Sequence, residues 1–313
     1  MVSSWGRDGS TSCMAPSCII PLISFCWVSS CKGCGFGFRY NTDDRPFLFN
    51  GGITLHAMQK TIVITGAAGG FGRACARRFA SAGYFLGLFD LDEPGLQEMR
   101  DQYGAEHCFV RRLDVTDPED CRDAMAAFGE RTGGRLDVLL NNAGIISVGS
   151  FDTLPLAAEH RVIDVNVKGV MNMAYYGYPL LKATPGARLI NLGSASALHG
   201  NPELVAYSLS KRAVNSFTES LDIAWERDDI RVCDINPMYA RTPLITENRH
   251  LLRKLPESGI RLTAEDIAEA VFGSLSSSKV HHYVGADTKV FSVAGRFLPF
   301  GLRRFLLKKV IGY

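Results

Sequence analysis

The chain has almost no charge of one sign to spare. Over 313 residues, 34 Lys and Arg face 32 Asp and Glu, a formal net charge of +2, and a field that weak gives no general pull on nucleic acid. A long apolar run is missing too. The stretch from Ile19 to Val28 is broken by Pro21 and is shorter than the about 20 residues that cross a bilayer. Arg7 precedes it, but no small-residue cleavage site follows, which argues against a secretory signal. With 13 prolines and 31 glycines the composition is neither collagen-like nor wholly disordered. Metal-ligand spacing is also absent. Five of the nine cysteines (Cys13, Cys18, Cys26, Cys31, Cys34) crowd the start, and Cys75, Cys108, Cys121 and Cys233 are scattered. Cys31 and Cys34 form C-x-x-C without a second pair or a histidine to complete a zinc set. The four cysteines of the body read as reduced thiols, so the expectation is a cytoplasmic protein with no metal site.

Three regions follow from patterning. Residues 1–57 show no sustained helical or strand period, so they are read as a disordered or non-native extension, with the working protein starting at Met58. Residues 58–288 form the main domain. Residues 289–313 carry Lys289, Arg296, Arg303, Arg304, Lys308 and Lys309 and no acid, interleaved with Phe291, Phe297, Leu298, Phe300, Leu302, Phe305, Leu306, Leu307 and Val310. Such a basic amphipathic segment can lie on an anionic membrane surface or pack on the domain or a partner subunit, and both readings stay open.

In the main domain strands and helices alternate. Strands are expected at Thr61–Thr65, Tyr84–Phe89, Cys108–Leu113, Leu136–Leu140, Arg188–Leu192 and Ile230–Ile235. Helices are expected at Phe71–Ala82, Pro94–Tyr103, Pro118–Phe128, Leu156–Leu181 and Glu203–Arg227. Strands alternating with helices imply right-handed crossovers, hence an α/β fold with a doubly wound parallel sheet of the Rossmann type. Ligands of such sheets lie beyond the carboxyl ends of the strands.

The first strand runs into Thr65-Gly66-Ala67-Ala68-Gly69-Gly70-Phe71-Gly72. At ordinary glycine usage that T-G-x-x-x-G-x-G spacing arises in roughly one chain in two hundred. Gly66, Gly70, Phe71 and Gly72 then belong to a turn whose backbone approaches a pyrophosphate at a helix N-terminus. Asp90 ends the second strand, 18 residues beyond Gly72. A carboxylate there accepts from both adenosine ribose hydroxyls and repels a 2′-phosphate, and neither Leu91 nor Gly69 supplies a cation, so the expected cofactor is NAD rather than NADP.

With these features the sequence resembles the short-chain dehydrogenase/reductase family, in its branch of about 250 residues, over nearly all of residues 59–285. Asn141-Asn142-Ala143-Gly144 matches the family's N-N-A-G, and Asp114 matches the acidic residue that meets adenine. Asn166 matches the catalytic asparagine. Ser194 stands thirteen residues before Tyr207, and Tyr207-Ser208-Leu209-Ser210-Lys211 supplies Y-x-x-x-K. Pro237 and Thr242 match the loop beside the nicotinamide carboxamide. Two positions depart from the pattern: Met238 stands where the family usually has glycine, and Gly193 replaces a common serine.

The residue types suit the chemistry. Tyr207 and Lys211 are i and i+4 on a helix and share a face. A free tyrosine has a pKa of about 10, and a neighbouring ammonium stabilises its phenolate. The resemblance further implies that Lys211 holds the nicotinamide ribose, that Ser194 donates to the substrate oxygen, that Tyr207 is the general acid/base and that Asn166 holds a water behind Lys211. The expected function is hydride transfer between NAD(H) and a hydrophobic secondary alcohol or ketone, by a homodimer or homotetramer with no nucleic-acid partner. Ile145, Ile146, Val148, Leu198, Met238, Leu244 and Leu251 are the candidate apolar wall, with His199 and Glu203 read as solvated loop positions. Two alternatives stand: a non-catalytic nucleotide-binding module of the same fold, and an NADP-dependent carbonyl reductase.

Overall fold

Alternation along each strand sends neighbouring side chains into two different cores. The computed structural model describes residues 59–238, 262–285, 288–289, 292 and 298–311, so the reading of residues 1–57 and the positions Thr242, Leu244 and Leu251 lie outside the described residues. The strands are β1 (Thr61–Thr65), β2 (Phe85–Asp90), β3 (Cys108–Arg112), β4 (Val138–Asn141), β5 (Arg188–Leu192), β6 (Arg231–Pro237) and β7 (His281–Val284). The helices are α1 (Gly70–Ser81), α2 (Glu93–Tyr103), α3 (Pro118–Thr132), α4 (Leu156–Ile163), α5 (Val170–Lys182), α6 (Val205–Trp225), α7 (Ala264–Ser274) and α8 (Phe300–Ile311). All seven strands pair in parallel in the order β3-β2-β1-β4-β5-β6-β7. The order reverses between β1 and β4, and there a crevice opens above the strand ends.

Ile62, Ile64, Leu86 and Leu88 pack with Phe79 of α1, Met99 of α2 and Ile267 and Val271 of α7. Val63, Phe85 and Phe89 pack on the other face with Met125 and Phe128 of α3 and Met173 and Leu181 of α5. Gly87 is placed by that second core: a Cβ there would stand 2.6 Å from the Phe128 ring. Helix starts follow local chemistry. Asp92 accepts from the Gly95 N–H at 3.1 Å, Asp117 caps α3, and Thr263 with Asp266 closes a capping box on α7.

Beyond shifts of a residue or two at element ends, the structure departs from the sequence reading as follows. The stretch read as one helix from Leu156 to Leu181 is α4 and α5 joined by a π turn, Asp164–Gly169. α3 runs on to Thr132 because Gly133, at φ +64°, supplies the left-handed stop. β4 starts at Val138, since the Leu136 N–H donates to the Thr184 hydroxyl at 2.9 Å instead of entering the ladder. β7 and α7 were not anticipated, because β7 reads His-His-Tyr-Val, without alternation. The four cysteines of the body are free and buried. Burial pushes the thiols of Cys75 and Cys121 up to about 12 and that of Cys233 to about 11, so they are protonated and inert at neutral pH.

Phe128 joins α3 to β2 through the rings of Phe85 and Phe89 and to Phe109 of β3. Phe128→Ala is expected to cost about 3–5 kcal/mol in urea-induced unfolding, the usual result of emptying a buried aromatic site. A loss below 1 kcal/mol would show that this core does not depend on it.

Candidate active site

The site begins where β1 stops. Gly66 takes φ +64°, and a Cβ on it would stand 2.8 Å from the Ala143 Cα, while a Cβ on Gly72 would lie 2.2 Å from the Gly66 carbonyl oxygen. Larger residues at either position would open the turn. α1 starts at Gly70 with no side-chain cap, so its first N–H groups are left for a ligand. From β4, the Asn142 amide donates to the carbonyls of Thr65 and Gly66, both at 2.9 Å. In return, the Thr65 hydroxyl accepts from the N–H groups of Asn142 and Ala143, both at 3.0 Å.

Asp90 is held at the end of β2 by the N–H groups of Ala68 (2.9 Å) and Asp92 (3.1 Å). Its carboxylate borders the cavity above the sheet. Asp114 accepts from the N–H and hydroxyl of Thr116 at 2.9 and 2.7 Å and lies 3.6 Å from the Arg161 guanidinium. Partial burial works against its charge, but the Thr116 hydrogen bonds and Arg161 outweigh that and hold its carboxyl below the usual range.

The π turn delivers Asn166. Its Oδ1 accepts from the Ile145 N–H at 2.9 Å, and its Nδ2 donates to the Ile145 carbonyl at 2.9 Å and the Ser210 hydroxyl at 3.1 Å. The extra residue in such a turn changes the helical phase, a device common at functional sites. Ser194 follows β5, and its hydroxyl accepts from the Ser196 N–H at 3.1 Å, leaving its own proton to donate elsewhere. On α6 the Lys211 ammonium donates to the Leu192 carbonyl at 2.8 Å and stands 5.6 Å from the centre of the Tyr207 ring. Burial alone lowers the Lys211 pKa to about 8.

One cavity of about 570 Å³ is bordered by Gly66, Gly70, Phe71, Asp90, Asp114, Asn142, Ala143, Gly144, Ser194, Tyr207, Lys211 and Pro237. Gly72 and Asn166 stand behind this lining, Gly72 against Gly66 and Asn166 against Ile145. Of the expected apolar wall, Ile145, Ile146 and Met238 border the cavity. Val148 and Leu198 do not: Val148 is buried away from it and Leu198 follows the short 3-10 turn Ala195–Ala197. Leu192, Leu204 and, from the distant α8, Leu307 take those places. Glu203 is buried, not solvated, because its N–H donates to the Asn201 side chain at 3.0 Å and its carbonyl takes the Gly149 N–H, folding it into the turn before α6. His199 borders the cavity, and burial together with the Arg303 charge lowers its pKa.

The cradle fits a dinucleotide: glycines where a Cβ would collide, an open helix N-terminus, a carboxylate at the β2 end and a cation at the far end of one continuous cavity. Comparison with known proteins agrees. The model of the short chain dehydrogenase family matches residues 60–252. An uncharacterised short-chain type dehydrogenase/reductase of Sinorhizobium fredii is 36% identical over 241 residues, 74% of this chain and 43% of that protein. Sulfoacetaldehyde reductase 2 of Chromohalobacter salexigens is 33% identical over 224 residues, and cyclohexanol dehydrogenase of an Acinetobacter strain is 30% identical over 221; each alignment covers 69% of this chain and 88% of the relative. A 3-ketoacyl-(acyl-carrier-protein) reductase from Brucella melitensis, solved with NADH, superposes with a TM-score of 0.65 at 29% identity, over 72% of this chain and 96% of that one. The chain belongs to the short-chain dehydrogenase/reductase family, and it is a nicotinamide-dependent oxidoreductase acting on CH–OH groups.

The lowered Lys211 pKa has a consequence for stability. The unfolded chain keeps its lysine protonated up to the ordinary value of 10.5, whereas the folded site releases the proton near pH 8. Between these values the unfolded state binds more protons, so stability from this group rises with pH, and the penalty for the buried charge is complete below pH 8. In cofactor-free protein, the unfolding free energy of wild type relative to Lys211→Met is expected to improve from pH 8 to pH 10. A difference that stays flat would mean that Lys211 titrates normally.

Proposed function

We propose that this chain transfers hydride between NAD(H) and a hydrophobic secondary alcohol or ketone, with Tyr207 as the general acid/base. The observation that carries the reading is the convergence of Ser194, Tyr207 and Lys211 on the cavity that begins at the glycine turn. Gly66, Gly70, Phe71 and Gly72 would hold the pyrophosphate, Asp114 would meet the adenine, and Asn142, Ala143, Gly144, Pro237 and Thr242 would border the nicotinamide half. The bound nicotinamide supplies or accepts the hydride. Ser194 donates a hydrogen bond to the substrate oxygen, orienting it and stabilising the charge that develops there. Tyr207 returns a proton to that oxygen in reduction and removes it in oxidation. Lys211 stabilises the tyrosinate and binds the ribose hydroxyls, and Asn166 holds a water behind it.

NAD is favoured over NADP by Asp90, whose carboxylate is fixed by two backbone N–H groups where a 2′-phosphate would have to sit. A hydrophobic substrate is supported by Ile145, Ile146, Leu204, Met238 and Leu307 on the cavity wall. A homodimer or homotetramer is supported by the exposed Met171 and Tyr175 of α5 and Ile223 of α6, and a cytoplasmic setting by the buried free thiols.

Tyr207→Phe removes one oxygen, so NADH affinity is expected to persist while turnover of cyclohexanol, or of the best alcohol in an NAD-linked absorbance screen, falls by about 10²–10⁴-fold. A variant that keeps most of its turnover would return the protein to a nucleotide-binding module without chemistry at this residue.

α8 supports contact with an anionic bilayer. Phe300, Leu302, Phe305 and Leu306 are exposed on it beside Arg304, Lys308 and Lys309, while Leu307 of the same helix borders the cavity. Among the described residues no helix is long and apolar enough to cross a membrane. Co-sedimentation with phosphatidylserine-containing vesicles is expected, to weaken about tenfold or more when Lys308 and Lys309 are both replaced by Glu, since each basic residue near such a surface is worth about 1 kcal/mol. Equal binding by both proteins would assign α8 to a protein contact.

A further inference from the structure

Tyr207, Lys211, Asn215 and Glu219 recur every four residues of α6 and share one face. The first two reach the cavity; the next two reach a buried polar chain beneath Ser194. The Ser194 N–H donates to the Asn236 Oδ1 at 3.0 Å, and the Asn236 Nδ2 donates to the Asp234 carboxylate. Asp234 is fully buried and also takes the Asn215 amide at 2.8 Å and His281 Nδ1 at 2.9 Å. The β6–β7 register sets Asp234 directly opposite His281. The other ring nitrogen, Nε2, lies 2.9 Å from Glu219 at the surface.

We propose that Asn236 is a positioning residue for Ser194, and that the buried Asp234–His281 pair holds its side-chain amide in the one sense that serves.

The sense of the amide follows from charge. With Nδ2 toward Asp234 and Oδ1 toward Ser194, both ends are satisfied. Turning it over would set an amide oxygen against a carboxylate and an NH2 group against the Ser194 N–H. A buried carboxylate needs such donors and a cation beside it. His281 supplies the cation: both of its ring nitrogens face carboxylates, so both carry hydrogens. Among the described residues the charged groups acting on it are Asp234 from β6 and Glu219 from α6, and the hydrogen bond to Asp234 raises its pKa above the ordinary value. That hydrogen bond favours the imidazolium, while burial works against the charge on Asp234 and raises its pKa.

Gly193 is part of the same arrangement. A Cβ there would lie 2.2 Å from the Asn236 Oδ1 and 2.9 Å from its Cγ. Serine, the residue the family commonly has at this place, cannot coexist with Asn236 in its present position. The glycine at 193 thus leaves the space that the Asn236 amide oxygen occupies. The result fixes the backbone of Ser194 from below, while the Ser196 N–H fixes its hydroxyl from the side. An error of about 1 Å in placing such a donor costs on the order of 10²-fold in rate.

This inference rests on the role proposed for Ser194, and its test separates the two. Asn236→Ala, Gly193→Ala, the double variant and His281→Gln are compared with wild type in the full chain for kcat, substrate KM, NADH affinity by fluorescence, and hydrogen exchange of the Ser194 amide by 15N NMR. Asn236→Ala and Gly193→Ala are each expected to lower kcat about 10- to 100-fold with NADH affinity within about twofold of wild type. The double variant is expected to be no worse than Asn236→Ala, because the collision and the lost acceptor are one event. His281→Gln, near the surface, is expected to fall between wild type and Asn236→Ala in both kcat and Ser194 exchange, and it decides the matter if the buried variants fail to fold. Unchanged kcat and unchanged exchange, additive losses in the double variant, or NADH affinity falling in step with kcat would each overturn the proposal. If wild type turns over no alcohol or ketone in the screen, the functional reading fails, and Ser194 exchange alone still tests whether Asn236 and His281 hold that amide.

Discussion

The four hydrogen bonds that join Thr65 and Gly66 to Asn142 and Ala143 tie together the two strands at which the sheet reverses its order. Crossovers leave β1 and β4 in opposite directions, so a crevice opens above them, and its floor would be two loose loop ends without this clamp. The side-chain amide of Asn142 holds the glycine turn against β4, and the turn in turn sets the N-terminus of α1. Asp90 on β2 and Asp114 beyond β3 are then fixed by short loops of their own, each through backbone N–H groups or a threonine hydroxyl. The half of the cavity around the glycine turn is thus held by backbone donors and acceptors, with little dependence on long, mobile side chains.

The half of the cavity around Tyr207 and Lys211 is built differently. Tyr207 and Lys211 sit on a rigid helix, Ser194 caps a short 3-10 turn, and Asn166 lies in a π turn, so three kinds of local backbone converge on one place. What aligns them is a set of buried polar contacts: Asn166 to Ile145, Lys211 to the Leu192 carbonyl, Asn236 to Ser194. Buried groups of this kind are costly when unsatisfied and rigid when paired. The site derives its precision from that rigidity.

Local signals in the sequence were enough to bring the glycine turn, Asp90 and Asn142 together, and in the structure they border one cavity. The glycine turn, Asp90 and Asn142 lie next to strands whose short apolar runs are easily read, and the sequence-based expectation placed them on one ligand. Tyr207 and Lys211 were legible because four residues make one helical turn. What stayed hidden depends on distance along the chain. His281 meets Asp234 only through the pairing of β6 with β7, and Leu307 reaches the cavity from the last described helix. Glu203 looked like a solvated loop acid, yet the turn before α6 buries it. The π turn was invisible for another reason: apolar spacing from Leu156 to Leu181 averages over the single extra residue that breaks the phase.

That extra residue makes the segment sensitive to length in a way few helices are. An α-helix advances by about 100° per residue, and the turn at Asp164–Gly169 absorbs one residue beyond the regular count. Deleting any single residue there would leave α4 and α5 as one continuous helix, of ordinary stability and unbroken amphipathic pattern. Asn166, or whatever replaced it, would then point elsewhere by about a quarter turn. The fold would tolerate the deletion far better than the site, so chains of this fold that differ by one residue here would keep the same core around a differently aimed asparagine.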